Sequence, residues 1–345
     1  MSHIPKILQG LRLPIISAPM FTVSYPELVL AQCKAGIVGS FPALNARPQE
    51  MLDDWLSQIQ SELADFQKSN PNSKVGPLAV NQIVHVSNAR LEQDMYSCVK
   101  HRIPIYITSL RAPVKEIIDA VHSYGGIVLH DVINIRHAEK ALEAGVDGLI
   151  LVAAGAGGHA GALSPFALVG EVRKIFQGPL VLSGAISTGD AVLASQAMGA
   201  DFAYMGTRFI ASQEAHASEQ YKQAIVTAQA ADIVYTDHFT GIHGNYIKQS
   251  IVNAGLDPTN LPEGDPQAFA KLSQAGKDGS SAKAWKDIWG AGQGVGLIND
   301  APSVAEIVAK LEQEKLVLEN STFTSEIGPL LYLSRLTGAP MDIIV

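Results

Sequence analysis

The 345-residue chain has only two cysteines, Cys33 and Cys98, far apart and outside the paired spacing of a zinc or redox motif. Disulfide and metal readings therefore lapse together, and no metal site is expected. Lysine and arginine number 25 against 33 acidic residues, a formal −8, and no basic tract occurs anywhere. That balance argues against a nucleic-acid partner, whose phosphates need clustered cations. Long apolar runs are missing as well: windows such as Gly148 to Ala154 stop well short of the roughly 20 residues that span a bilayer. The start, MSHIPKILQGLRLPII, carries no long apolar core of a signal peptide, so a soluble cytoplasmic protein with no membrane partner is expected. There is also no GxGxxG with a following acid, which weighs mildly against a dinucleotide-binding βαβ unit.

What is present is core-forming material, with 47% hydrophobic and 17% charged residues, enough for one large domain and a smaller one. Eight short β-rich runs recur: Leu13–Met20, Gly36–Ala43, Gly76–Gln82, Ile103–Ser109, Gly126–Val132, Gly148–Ala154, Pro179–Ala185 and Asp201–Phe209. Several are apolar throughout, as parallel strands covered on both faces must be. The stretches between them read as helices. Pro48 opens a pattern of Met51, Leu52, Trp55, Ile59 and Leu63; Arg136 to Gly145 and Asp190 to Gly199 each end on a glycine stop. Eight β/α alternations predict an α/β fold, a (β/α)8 TIM barrel over residues 1–210, with a doubly wound sheet as the alternative.

After Phe209 the texture changes. Ser212 to Asn253 reads as helical and polar, and Gly255 to Gly296 is rich in Gly, Pro and Asp, with tryptophans at 285 and 289. A smaller, mostly helical domain is expected over 211–300. Residues 301–345 then supply an amphipathic helix, Pro302 to Leu318, that returns to the barrel.

Chemistry should concentrate at the C-terminal strand ends of such a barrel. Ser183-Gly184-Ala185 and Gly206-Thr207 fall in the loops after strands seven and eight, where backbone N–H groups commonly cradle a phosphate, although the glycines could simply make tight turns. Gly155-Ala156-Gly157-Gly158-His159-Ala160-Gly161 follows strand six, and its small residues leave the imidazole of His159 open for proton exchange. His85, His101, His122, His137 and His216 read as solvated, and His238 and His243 as turn residues. His130-Asp131 closes strand five as either a ligand contact or a helix cap. Ala18-Pro19-Met20 and Asn81-Gln82 close strands one and three; Met20 suits the face of a flat ring but also ordinary core, and Asn81 also forms turns.

Taken in order, Ala18-Pro19-Met20, Asn81, Ala156 to Gly161, Ser183 to Ile186 and Met205 to Phe209 resemble the nitronate monooxygenase (2-nitropropane dioxygenase) family, from about Leu13 to Phe209 and again from Trp289 to Pro302. The resemblance implies an FMN-dependent barrel oxidoreductase acting on a small molecule, an alkyl nitronate or nitroalkane, with O2. It implies that Ala18, Pro19 and Met20 line the flavin ring and that Asn81 hydrogen-bonds it. Ser183, Gly184, Ala185, Gly206 and Thr207 would hold the phosphate, with Gly157 and Gly158 alongside the active-site His159. Gln293, within Gly290 to Gly294, would belong to a glycine-rich stretch closing over the flavin. Two positions depart from the pattern: Ala185 stands where relatives carry a second glycine, and Asp131 where they carry a basic or polar flavin contact. Two further readings accompany this one, an NAD(P)H-driven reductase of quinones or enoyl thioesters and a flavin-binding protein without turnover.

Overall fold

The computed structural model describes residues 4–265 and 287–324, so Trp285 and the chain beyond residue 324 lie outside the described residues. In chain order the strands are β1 (Ile15–Ser17), β2 (Gly39–Pro42), β3 (Leu78–Val84), β4 (Ile105–Leu110), β5 (Ile127–Val132), β6 (Gly148–Val152), β7 (Gly158–His159), β8 (Leu180–Ser183), β9 (Phe202–Met205), β10 (Ile233–Thr236) and β11 (Gly244–Ile247). All but β7, β10 and β11 form one parallel sheet, ordered β1-β9-β8-β6-β5-β4-β3-β2. The sheet closes where Ser17 N–H donates to the Val38 carbonyl at 2.9 Å and Val38 N–H to that of Ile15 at 3.1 Å. The fold is the expected TIM-type barrel.

Helices α1 (Pro26–Lys34), α2 (Met51–Ser69), α3 (Leu91–Lys100), α4 (Lys115–His122), α5 (Ile135–Ala144), α6 (Pro165–Ile175) and α7 (Gly189–Met198) connect the barrel strands. Helix α2 starts at Met51 rather than at Pro48. Asn134 and Thr188 cap α5 and α7 by accepting the N–H groups of His137 and Ala191, which satisfies donors that have no partner inside the helix.

Side-chain alternation along the strands sorts the core into two compartments. Ile16, Val38, Ala79, Ile107, Leu129, Ile150, Val181 and Tyr204 pack inside the barrel, while the intervening residues, such as Ile15, Val80, Tyr106, Val128 and Leu151, face the helices. Leu8, in a short 3-10 turn, joins the inner cluster with Ile4, Ile7 and Leu11 against it. Two residues further along the strands, the inward positions become Ala18, Asn81, Ser109, Asp131, Val152, Ser183 and Gly206. These form the floor of the cavity described below.

Beyond β9 come α8 (Thr207–Ile210), α9 (Glu219–Thr227), the β10–β11 pair, α10 (Lys248–Asn253) and α11 (Val304–Thr324). Ser212 to Asn253 is thus not helical throughout. Ile233-Val234-Tyr235-Thr236, rich in β-branched and aromatic residues, pairs antiparallel with β11, and β11 pairs antiparallel with β7. Helix α11 packs against α7, with Gly189 N–H donating to Glu314 at 2.8 Å. No helix among the described residues is long and apolar enough to cross a membrane.

Candidate active site

A cavity of about 1230 Å³ opens at the C-terminal ends of the barrel strands. Its wall contains Ala18, Pro19, Met20, Asn81, Asp131, Gly157, Gly158, His159, Ser183, Gly184, Ala185, Gly206 and Thr207. The fold thus brings together every site residue that the family resemblance assigns except Gln293, whose side chain is exposed and outside the cavity wall. Gln293 acts through its backbone, donating N–H to the Gly155 carbonyl at 2.9 Å.

The His159 loop is held by residues from outside the barrel. Strand β7 contains His159 itself and lies against β11, with Gly244 opposite His159 and Asn245 opposite Gly158. Asn245 Nδ2 donates to the Ala156 carbonyl at 2.6 Å. Gly292 N–H donates to Thr207 Oγ1 at 2.9 Å, pressing the late glycine stretch onto the same loop. Only glycine permits this approach: a Cβ on Gly292 would stand 2.5 Å from the Gly155 carbonyl oxygen, and one on Gly157 would stand 2.8 Å from Gly292 N. Tyr221 of α9, in the cavity wall, stacks on Trp289 at 5.2 Å and donates its hydroxyl to the Gly290 carbonyl.

His159 Nε2 lies 3.0 Å from Thr240 Oγ1, and the Thr240 hydroxyl spends its one proton on the Ile242 carbonyl at 2.9 Å. Nε2 must therefore be the donor, which leaves the lone pair of the neutral ring on Nδ1. Burial pushes the imidazole down to about 4, so it rests neutral at physiological pH. Thr240 lies in the segment Asp237 to Gly244, which reads as a plain turn in the sequence. Its hydroxyl meets His159 across 81 residues, and no local signal marks that contact.

The His130-Asp131 pair is split by the pleat. His130 faces the helix layer, where Thr108 Oγ1 contacts its Nδ1 at 2.8 Å and burial pushes it down to about 4. Asp131 points into the barrel mouth, and its Oδ2 accepts from Ser109 Oγ at 2.6 Å. Ser109 Oγ accepts in turn from Asn81 Nδ2 at 2.8 Å, so a polar row crosses three neighbouring strands. Sequence reading passed over Ser109. Its place two residues beyond inward-facing Ile107 was the available signal.

At Ala185 the backbone keeps a glycine-like path. Gly184 has φ +140° and Ala185 φ +54°, the left-handed region that costs an L-residue roughly 1–2 kcal/mol. On the far side of the barrel from β8, Phe21, Arg47, Gln49 and Arg90 also line the cavity. The Arg47 guanidinium lies 5.2 Å over the Phe21 ring, and its Nε donates to the Leu44 carbonyl. Arg90 pairs with Asp94 at 3.1 Å. His137, expected to be a solvated surface residue, also reaches this cavity wall. Among the described residues, no three His, Cys, Asp or Glu side chains converge to hold a metal ion.

A closed parallel barrel with a neutral, hydrogen-bonded imidazole and polar strand ends at its C-terminal mouth is the setting of a small-molecule enzyme site. The chain belongs to the nitronate monooxygenase family, whose family model matches residues 5–314, and it is an oxidoreductase of that family. A nitronate monooxygenase of Paraburkholderia phytofirmans is 27% identical over 89% of this chain and 93% of its own length. Among solved structures, FabK from Thermotoga maritima superposes with a TM-score of 0.71 at 25% identity, covering 91% of this chain and 96% of its own. A nitroalkane oxidase from Streptomyces ansochromogenes superposes with a TM-score of 0.73 at 22% identity, covering 91% and 99%.

Proposed function

We propose that the protein is an FMN-dependent nitronate monooxygenase that takes an alkyl nitronate, or the nitroalkane that gives it, with O2. The observation that carries the reading is the meeting of a neutral, oriented His159 with Met20, Asn81 and the two glycine loops around one cavity.

The wall fits a flavin on its own chemistry. Asp131 leaves one buried carboxyl oxygen, Oδ1, without a partner among the described residues, as a ring with polar edges would require. Ala18 and Met20 offer apolar surface for the ring face, with Asn81 beside them. Gly184, Ile186, Ser187 and Gly206-Thr207 offer main-chain N–H groups to a phosphate, Ala185 N–H being taken by the Gly155 carbonyl, and Thr207 Oγ1, already accepting from Gly292, keeps its proton to donate. A bound flavin supplies the electron-accepting ring and its reactivity with oxygen.

The protein's own part is proton handling and positioning. His159 Nδ1 takes the proton from the carbon bearing the nitro group, and the C–H electron pair moves onto the nitro group to give the nitronate. Thr240 keeps the ring in the required tautomer and stabilises the imidazolium that forms. The resting neutrality of His159 favours this base role over a standing cation that waits for an anion.

The same cavity wall supports a second reading. Arg47 there suits a co-substrate with an anionic tail, as in NAD(P)H-driven reduction of a quinone or an enoyl thioester. Mass spectrometry of the cofactor released on denaturation, followed by anaerobic stopped-flow reduction with ethylnitronate, NADH and NADPH, separates the readings. FMN and rapid reduction by ethylnitronate support the first. FAD or no flavin removes it, and reduction by NAD(P)H alone installs the second.

A further inference from the structure

We propose that Asp131 is the proton-bearing contact of the cavity floor: its carboxyl takes up a proton at Oδ1 and turns that O–H toward a hydrogen-bond acceptor on the ring that the cavity holds. The identity of that ring rests on the flavin reading above. The state of the carboxyl rests on the geometry of the floor.

The direction of the hydrogen bonds carries the argument. Asn81 Nδ2 can only donate, so the Ser109 hydroxyl accepts from it at 2.8 Å and passes its own proton to Asp131 Oδ2 at 2.6 Å. Oδ2 is thereby the accepting oxygen. Oδ1 is buried with no partner among the described residues, so a proton on the carboxyl belongs there. Ionised, the group would hold one hydrogen bond where a carboxylate can accept about four.

Among the described residues no cation offsets that charge. The titratable groups that share the mouth are Tyr204 on β9, Tyr221 on α9 and His159, each held uncharged by burial. Burial and a like charge from Asp131 act together on Tyr204. His137 is pushed down by burial and by Lys140, while Arg90 is paired with Asp94 and Arg47 lies over the Phe21 ring. A buried carboxylate without a counter-ion takes up a proton instead of paying the desolvation cost. Burial accordingly raises the carboxyl to about 7, with the Ser109 hydrogen bond acting against the shift. A neutral acid can donate to the ring, and it does not repel electron density arriving there.

The test uses the purified protein with carbon-13 in its aspartate carboxyls, followed by NMR from about pH 3 to 9. One resonance, missing in Asp131→Asn, should titrate near neutrality while the exposed aspartates titrate around the usual 4. Ser109→Ala should move that midpoint further up, because the anion loses its one donor. The potential of the bound flavin should change its slope against pH where Asp131 ionises, and in Asp131→Asn the slope should run straight through that window. A resonance titrating in the ordinary range, or a break that survives in Asp131→Asn, overturns the proposal. If the protein retains no flavin, the flavin reading falls while the carboxyl titration still decides the state of Asp131.

Discussion

Replacing Thr240 by valine removes the hydroxyl that orients His159 while keeping the side chain's shape. Thr240 is 1% exposed, and its oxygen serves His159 Nε2 at 3.0 Å, the Ile242 carbonyl at 2.9 Å and the Ile242 N–H at 3.3 Å. Leaving such partners buried and unpaired costs about 1–3 kcal/mol, so Thr240→Val should lose stability on that scale. The same loss removes the preference for the tautomer with the lone pair on Nδ1. Since 1.36 kcal/mol is a factor of ten in rate, kcat/KM for nitroethane should fall roughly 10–100-fold. Ethylnitronate has already lost its proton, so its kcat/KM should fall much less, and Thr240→Ser should restore both. The assay is oxygen uptake with the two substrates side by side, on variants whose flavin content is matched. An unchanged nitroethane-to-nitronate ratio in Thr240→Val would show that the contact holds the loop and does not set the protonation of His159.

Three further outcomes are expected. Ala185→Gly relieves a left-handed alanine worth roughly 1–2 kcal/mol against about 0.4–1 kcal/mol of added chain entropy; urea unfolding should show a neutral to slightly stabilised protein, and a clear loss would contradict the strain at φ +54°. Gly189→Ala places a Cβ 2.1 Å from the Leu311 carbonyl oxygen and 2.6 Å from Lys315 N, so it should cost at least about 1–3 kcal/mol and expose α11 to protease; wild-type resistance would refute the close α7–α11 contact. His130, 3% exposed, is held near 4 when folded against an ordinary 6.5. The unfolded chain therefore protonates first, and stability present above 6.5 is lost as pH falls toward 4, by about 3 kcal/mol at 1.36 kcal/mol per unit. Asp131, raised when folded, contributes with the opposite sign, losing stability as pH rises toward 7. Comparing the acid loss with that of His130→Asn isolates the histidine, and an equal loss in the variant removes it from the pH dependence.

The sequence by itself determined the barrel and most of the floor of its mouth. Eight apolar runs with helical intervals leave little choice of architecture, and period-two alternation then assigns a face to every strand residue. Asn81, Asp131 and Gly206 reach the cavity because Ala79, Leu129 and Tyr204, two places earlier, belong inside the barrel. The same alternation separates Asp131 from His130, which no composition or motif could have done. Ala185 looked like a departure because residue identity was visible and backbone angle was not. What only the tertiary structure decided is where His159 gets its partner and its tautomer. Its loop completes a sheet with β10 and β11, and its ring bonds to Thr240. Those groups come from a segment of short, irregular pieces whose polar residues satisfy one another across the chain. Local pattern encodes which face of an element is buried, whereas contacts between loops follow from where the closed barrel brings their ends.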